Sequence, residues 1–358
     1  MNSKQRLDPA IFNLPVEKMR DGYYSDVYFN WTSTILERDG HHPIVRMQVF
    51  GRSDAVLCGI DEALAILKLC SLDRSKLTIR ALYDGDAIAP YETVMTIEGP
   101  YDAFARLETP YLGALSRRTR IATNARRIVD AANGKNVFFF PARFDHHLVQ
   151  TGDGYAAYIS GALGVSTDAN AEWWGARGMG TVPHGLIAAY GGDTVLATQK
   201  FAEYMAPDVN VISLVDYDND CVATSLACAR ALGDRLWGVR LDTSGTLVDA
   251  SVWPQMGTFK PTGVVPQLVW NVRKALDAEG FTHVKIVVSG GFNTERITAF
   301  EAEGVPVDAY AVGSAFFDNV GKHDFTADIV AIQRDGRWEE CHKVGRPERP
   351  NPRLELVS

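Results

Sequence analysis

Five apolar runs in the 358-residue chain each open onto residues that could grip or transform a small ligand. NVFFF (136–140) leads to Arg143, Asp145, His146 and His147, and VNVISLV (209–215) to Asp216 and Asp218. RLWGVRL (235–241) leads to Asp242, with Arg240 two residues earlier and so on the same face of a strand. HVKIVVS (283–289) reaches Ser289, Gly290 and Gly291, and VDAYAV (307–312) reaches Gly313 and Ser314. Glycine lets backbone amides come close to an anion, and a helix that follows adds the positive end of its dipole. The last two ends are therefore candidates for a phosphate cradle. Asp216 and Asp242 could accept ribose hydroxyls or face a Mg²⁺ carried on substrate phosphates. Capping of a following helix explains an aspartate in such a place equally well. His184, in GMGTVPHGL, is a possible catalytic base or nucleophile, although a lone histidine is more often structural. The adjacent pair His146 and His147 lacks a Cys or His partner at metal-binding spacing, so no protein-held metal is expected.

What positions these residues is an alternation of buried strands and helices. The five runs are apolar almost throughout, as strands covered on both faces are. Helical patterns fall around them at 115–134, 154–163, 220–232, 265–280 and 294–304. Strands alternating with helices build a parallel sheet with right-handed crossovers. An open doubly wound sheet satisfies the same alternation, but the recurrence of polar groups at successive strand ends favours a barrel, whose active site gathers at that mouth. Before residue 115 the pattern differs. IVRMQVFG (44–51), LTIRALYDGD (77–86) and TVMTIEGPY (93–101) are strand-like pieces separated by turn residues, with one amphipathic helix at 60–70. The fold class expected is α/β: an irregular TIM-like barrel over 115–330, and a smaller α+β domain over 1–114 joined by the C-terminal segment 331–358.

Composition narrows the function classes. The chain is 46% hydrophobic with a net charge of −8 and no Lys/Arg run, which argues against nucleic acid as a partner. Its five cysteines are scattered without a CxxC pair, so neither a disulfide framework nor a zinc knuckle is expected. No signal-peptide pattern and no long apolar stretch is present, so the expectation is a cytoplasmic enzyme without a membrane partner.

In order along the chain, YYSDVYF (23–29), LETPYLGALSRRTRIATNARRI (107–128), FPARFDHH (140–147), GVSTDANA (164–171), GMGTVPHGLI (178–187), LVDYDND (214–220), GVRLDTSG (238–245), VVSGGF (287–292) and AVGSA (311–315) resemble the nicotinate phosphoribosyltransferase family. The resemblance runs from about residue 20 to 350, closest to the shorter archaeal and bacterial branch. It implies attack of nicotinate on C1 of phosphoribosyl pyrophosphate, yielding nicotinate mononucleotide and pyrophosphate, with substrate-borne Mg²⁺ and with ATP as co-substrate. It further implies that Tyr28 stacks on the pyridine from a neighbouring subunit of a homodimer or larger homo-oligomer, with Phe140 on the other face. Arg143 would meet the ring substituent or pyrophosphate, His184 would be phosphorylated by ATP, and Arg240, Asp242 and Asp216 would contact ribose and pyrophosphate. Ser289, Gly290, Gly291, Gly313 and Ser314 would hold the 5′-phosphate.

Two departures bear on the substrate. Pro141-Ala142-Arg143-Phe144 lacks a second arginine common in the family, and Asp168 stands where the nicotinamide-using relative carries an aspartate. A carboxylate there would repel nicotinate and accept from an amide, which keeps nicotinamide open. Quinolinate, with two carboxylates, calls for a denser basic cluster than Arg143 with Arg117, Arg118 and Arg120. A sugar-phosphate aldolase or isomerase would need a Schiff-base lysine, for which Lys285 is the one candidate at a strand, and a non-catalytic binding protein would have no need of intact His184 and Asp242.

Overall fold

The computed structural model describes residues 5–357, which divide into two units. One runs to Thr123 and takes up the chain again from Asn319; the other is Asn124–Asp318. The long helix α1 (Glu108–Ala131) carries the boundary between them.

In the first unit, six strands form an antiparallel sheet in the order Arg337–Glu340, Phe325–Arg334, Ile44–Gly51, Thr93–Pro100, Thr78–Ala81 and Glu355–Leu356. The turn-punctuated pieces read from the sequence supply its centre, and the strand 325–334 runs across the expected boundary at 330 because its partner is Ile44–Gly51. Val45, Met47, Val49, Ile79, Met95 and Ile97 pack with Leu64 and Leu67 of the helix Ile60–Cys70 in one buried core. That helix begins on the Asp84 carboxylate, which accepts from Ile60 N at 2.9 Å.

Glu108, the first residue of α1, is largely buried in this unit. Burial, followed by the charges of Asp328 and Asp26, pushes its carboxyl up to about 8 from an ordinary 4.5. The folded unit therefore holds a proton between these values that the unfolded chain has released, so stability falls as pH rises through that window. Glu108→Gln keeps the neutral shape and removes this part of the pH dependence. The expected result is a smaller drop in Tm between pH 5.5 and 8.5 than in the wild type. An equally steep drop would show that Glu108 does not titrate in this way.

The second unit is built on six parallel strands: β1 (Asn136–Phe139), β2 (Gly164–Val165), β3 (Val211–Leu214), β4 (Leu236–Leu241), β5 (Lys285–Val288) and β6 (Ala309–Val312). Their order is β2-β1-β6-β5-β4-β3. The alternation expected from the sequence is present, with α2 (Gln150–Ile159), α3 (His184–Ala189), α4 (Thr194–Tyr204), α5 (Cys221–Leu232), α6 (Pro266–Ala278) and α7 (Thr294–Ala302) between strands. Strands β2 and β3, the edges of the sheet, share no ladder. The segment 179–182 runs between them instead: Met179 N donates to Val165 O of β2 at 2.8 Å, and Val182 N to Ile212 O of β3 at 3.0 Å. This irregular stave closes the curl and makes the barrel TIM-like rather than regular. Phe138, Ile212, Val287, Ala309 and Ala311 fill the interior, with Met179 packed against them. Among the described residues no helix is long and apolar enough to cross a membrane.

Candidate active site

The parity of the strands carries the inner face out to the mouth. Phe138 and Phe140, Arg240 and Asp242, Val287 and Ser289, and Ala311 and Gly313 are each two residues apart, so each strand carries one face outward to the rim. A cavity of about 490 Å³ opens there, lined by Phe140, Arg143, His184, Arg240, Asp242, Ser289, Gly290, Gly291, Gly313 and Ser314. Ten of the thirteen residues expected at the site thus share one wall-to-wall space within the second unit.

On the β4–β5 side the polar groups are locked together. Arg240 donates from Nε to Ser289 Oγ (2.8 Å) and from Nη2 to Asp242 Oδ2 (3.0 Å), while Ser289 Oγ donates to Asp242 Oδ1 (2.6 Å). A third bond, from Arg240 Nη1 to Thr181 Oγ1 (3.2 Å), ties the stave to this group. Gly290 and Gly291 follow with φ of +84° and +74°, a left-handed pair that turns the backbone away from the strand. Asn293 then caps α7 by accepting from Arg296 N at 3.0 Å. Arg296 reaches back to donate to Gly290 O (2.7 Å) and to Val264 O, and its guanidinium lies 4.1 Å from the Phe292 ring centre. The loop is thereby tied to α7, with Gly290 and Gly291 on the cavity wall, a backbone turn of the kind that can receive an anion.

Across the mouth, His184 starts α3 and is half exposed, with Nε2 2.9 Å from Asp216 Oδ1. Asp216 itself is nearly buried. Burial raises its pKa, and the bond and charge of His184 oppose that rise. With Asp216 ionised the contact has Nε2–H donating, and in a neutral imidazole that tautomer carries its lone pair on Nδ1. The loop bearing Asp216 is anchored from a distance. The fully buried Asp249 accepts from Cys221 N (2.9 Å) at the start of α5, and Asn219 Nδ2 donates to Val248 O (2.7 Å).

Three expected residues stand elsewhere. Asp168 is exposed at the start of the short helix Asp168–Ala171, and its Oδ1 accepts from Gly178 N at 2.8 Å. It does not line the cavity, because the turn after β2 carries it to the surface. Asp216 reaches the cavity only through His184. Tyr28 belongs to the first unit, 56% exposed on the helix Val27–Asp39. Lys285 lies at the start of β5, opposite the mouth, and pairs with Asp308 at 3.2 Å, which removes it as a Schiff-base candidate. His146 and His147 are exposed, with ring centres 4.3 Å apart and planes tilted by 33°. Sequence reading missed Thr181, Arg296 and Asp249. Thr181 lies in a quoted motif, but outside any regular strand; Arg296 stands three residues after the Asn293 cap, a spacing that marks the helix start but not its reach to Gly290.

Two family models match the chain: the N-terminal domain of quinolinate phosphoribosyl transferase over residues 26–119, and its C-terminal domain over 121–326, a span that takes in every residue of the cavity wall. The chain belongs to the quinolinate phosphoribosyl transferase family. Nicotinate phosphoribosyltransferase pncB1 of Mycobacterium tuberculosis is 31% identical over 260 residues, covering 71% of this chain and 53% of that protein. The nicotinate phosphoribosyltransferase of Bacillus subtilis is 25% identical over 275 residues, 75% of this chain and 52% of the relative. The chain spans about half the length of the curated relatives it matches. The crystal structure of nicotinate-nucleotide pyrophosphorylase from Pyrococcus furiosus superposes with a TM-score of 0.79 at 33% identity, covering 96% of this chain and 85% of that one. The family models are named for quinolinate and the two sequence relatives for nicotinate.

In this family member the left-handed turn at Gly290 is open to a direct test. A Cβ there would sit 3.4 Å from Asp242 Oδ1 and would force an L side chain into a φ of +84°. That conformation costs about 1–2 kcal/mol. Gly290→Ala is expected to weaken binding of ribose 5-phosphate about tenfold, read by calorimetry, for a loss of about 1.4 kcal/mol. Unaltered affinity would show that the loop does not carry the phosphate.

Proposed function

We propose that the chain is a nicotinate phosphoribosyltransferase of NAD metabolism, forming nicotinate mononucleotide and pyrophosphate from nicotinate and phosphoribosyl pyrophosphate with hydrolysis of ATP. The observation that carries this reading is one cavity with two unlike ends. The Arg240–Asp242–Ser289 group and the Gly290–Gly291 turn suit a phosphorylated ribose, and Phe140 with Arg143 suits an anionic aromatic ring. Arg143 has no carboxylate partner among the described residues, so its charge is available to a nicotinate carboxylate. A single arginine at that end favours one carboxylate over the two of quinolinate. The case for nicotinamide rested on Asp168, whose carboxylate is spent on Gly178 outside the cavity.

In this reading the pyridine nitrogen attacks C1 as the bond to pyrophosphate breaks, and positive charge grows on the ribose ring. Asp242 faces that charge from a position already fixed by two hydrogen bonds, so little reorganisation is needed. Among the described residues no group of three or more metal-ligating side chains assembles. Asp242, a hard oxygen donor on the cavity wall, would suit a Mg²⁺ carried in on the substrate phosphates. When bound, Mg²⁺ supplies charge that neutralises the departing pyrophosphate. His184 takes the ATP-dependent role: Nδ1 attacks the terminal phosphorus, ADP leaves, and Asp216 steadies the imidazolium through Nε2–H.

The helix Val27–Asp39 shows an uncovered apolar stripe. Val27, Tyr28, Trp31 and Ile35 are 56–65% exposed at helical spacing. It supports a homodimer in which Tyr28 completes the partner's ring site.

The test is direct. Purified protein with phosphoribosyl pyrophosphate and Mg²⁺ is given nicotinate, nicotinamide or quinolinate, with and without ATP, and mononucleotide is quantified. Nicotinate should be converted, faster with ATP. No product from any of the three sinks the reading, and conversion of quinolinate with loss of CO₂ replaces it.

A further inference from the structure

The Arg240 guanidinium is held at every one of its nitrogens. Nε donates to Ser289 Oγ at 2.8 Å and Nη2 to Asp242 Oδ2 at 3.0 Å, both on the β4–β5 side. Nη1 donates to Thr181 Oγ1 at 3.2 Å, on the irregular stave that runs between β2 and β3. Each nitrogen thus gives an N–H to the protein, while Nη1 and Nη2 each keep another for a ligand in the cavity that Arg240 lines.

The stave is itself fixed by packing on either side of Thr181. Met179 packs into the barrel interior, and the buried Val182 packs with Ile187, Ala197 and Leu214. Thr181 stands between these two anchors and sets where Nη1 can go. Its hydroxyl has Val182 O at 3.4 Å to receive its proton, which leaves an oxygen lone pair for Arg240. Thr181 is not part of the cavity wall, so its effect on a ligand must pass through Arg240. The other two partners act from one place, since Ser289 Oγ also donates to Asp242 Oδ1. A guanidinium held from that place alone can tilt, and its directed bonds to oxyanions depend on the plane being set.

We infer that Thr181 is a positioning residue for phosphoribosyl pyrophosphate, setting the plane of the Arg240 guanidinium so that the remaining N–H groups of Nη1 and Nη2 meet oxyanions of that substrate. This rests on the phosphoribosyltransferase reading above.

The experiment compares the full chain with Thr181→Val, which keeps the branched shape and removes the hydroxyl, and with Thr181→Ser, which keeps the hydroxyl. Thr181→Val should raise the KM for phosphoribosyl pyrophosphate about tenfold, the size expected when a hydrogen bond to a charged group is lost. The KM for nicotinate should stay within about twofold, and Thr181→Ser should recover most of the loss. A double-mutant cycle separates positioning from a general loosening of the wall. In an Arg240→Met background, Thr181→Val should change the affinity for phosphoribosyl pyrophosphate, read by calorimetry, less than about twofold, because the group it positions is gone. An unchanged KM for phosphoribosyl pyrophosphate overturns the inference. So does an equal rise in the nicotinate KM, a Thr181→Ser variant as impaired as Thr181→Val, or a full tenfold loss in the Arg240→Met background. If the wild-type protein forms no mononucleotide at all, the functional reading falls first and this inference falls with it.

Discussion

Replacing Asp242 with asparagine is expected to lower kcat for mononucleotide formation by about 10²–10³-fold, the loss typical when one preorganised electrostatic group facing developing charge is removed. Two effects add in this variant. The carboxylate proposed to face the ribose loses its charge, and Arg240 Nη2 and Ser289 Oγ lose an ionised acceptor that both now share. An amide offers one oxygen, so one of the two donors would meet an NH₂ group instead. The Arg240–Asp242 pair is about a fifth exposed on each side, so the stability cost should be small beside the kinetic one. Steady-state rates at saturating substrates, with Tm measured alongside, separate the two. Turnover within threefold of wild type would remove Asp242 from the reacting centre.

The second large effect concerns His184 and Asp216. His184→Ala should abolish the ATP-stimulated part of the rate and leave the ATP-independent part. Asp216→Asn should retain the histidine but slow its phosphorylation by about 10²-fold or more, within the range that positioned proton-handling groups contribute. The reason is the tautomer. An ionised Asp216 accepts from Nε2 at 2.9 Å and favours the neutral tautomer in which Nδ1, the proposed nucleophile, keeps its lone pair; an asparagine can present its NH₂ to Nε2 and move the ring proton to Nδ1. Acid-labile phosphate after incubation with labelled ATP reports the step directly. Full labelling of Asp216→Asn would show that the carboxylate does not orient the ring.

Much of the barrel mouth is legible in the sequence, because a strand buried on both faces must be apolar and its polar continuation then stands out. That contrast identifies Arg143, Asp216, Asp242 and the Ser289–Gly291 turn, and the two-residue period places Arg240 beside Asp242. Residues outside that contrast escape it. Thr181 sits in a stave with one backbone bond to each neighbour. Asp249 caps α5 from a loop 28 residues further along the chain, a tertiary contact with no local signature. Asp168 misled for the same reason: its partner, the Gly178 amide, is brought to it by the fold. The antiparallel sheet was readable in its central strands, whereas the pairing of Phe325–Arg334 with Ile44–Gly51 joins chain ends that no local pattern connects.

The irregular stave also sets where the barrel wall is weakest. Strands β4 and β5 are joined through a four-residue register, while the stave is held to β2 and β3 by one backbone bond each. Segments with fewer backbone bonds open at lower free energy than the ladders around them. The stave runs directly into Pro183 and His184, so this low-cost seam adjoins the residue proposed to receive a phosphoryl group. The wall is thus more sparsely bonded beside His184 than along β4 and β5, whose ends carry Arg240, Asp242, Ser289 and the Gly290–Gly291 turn.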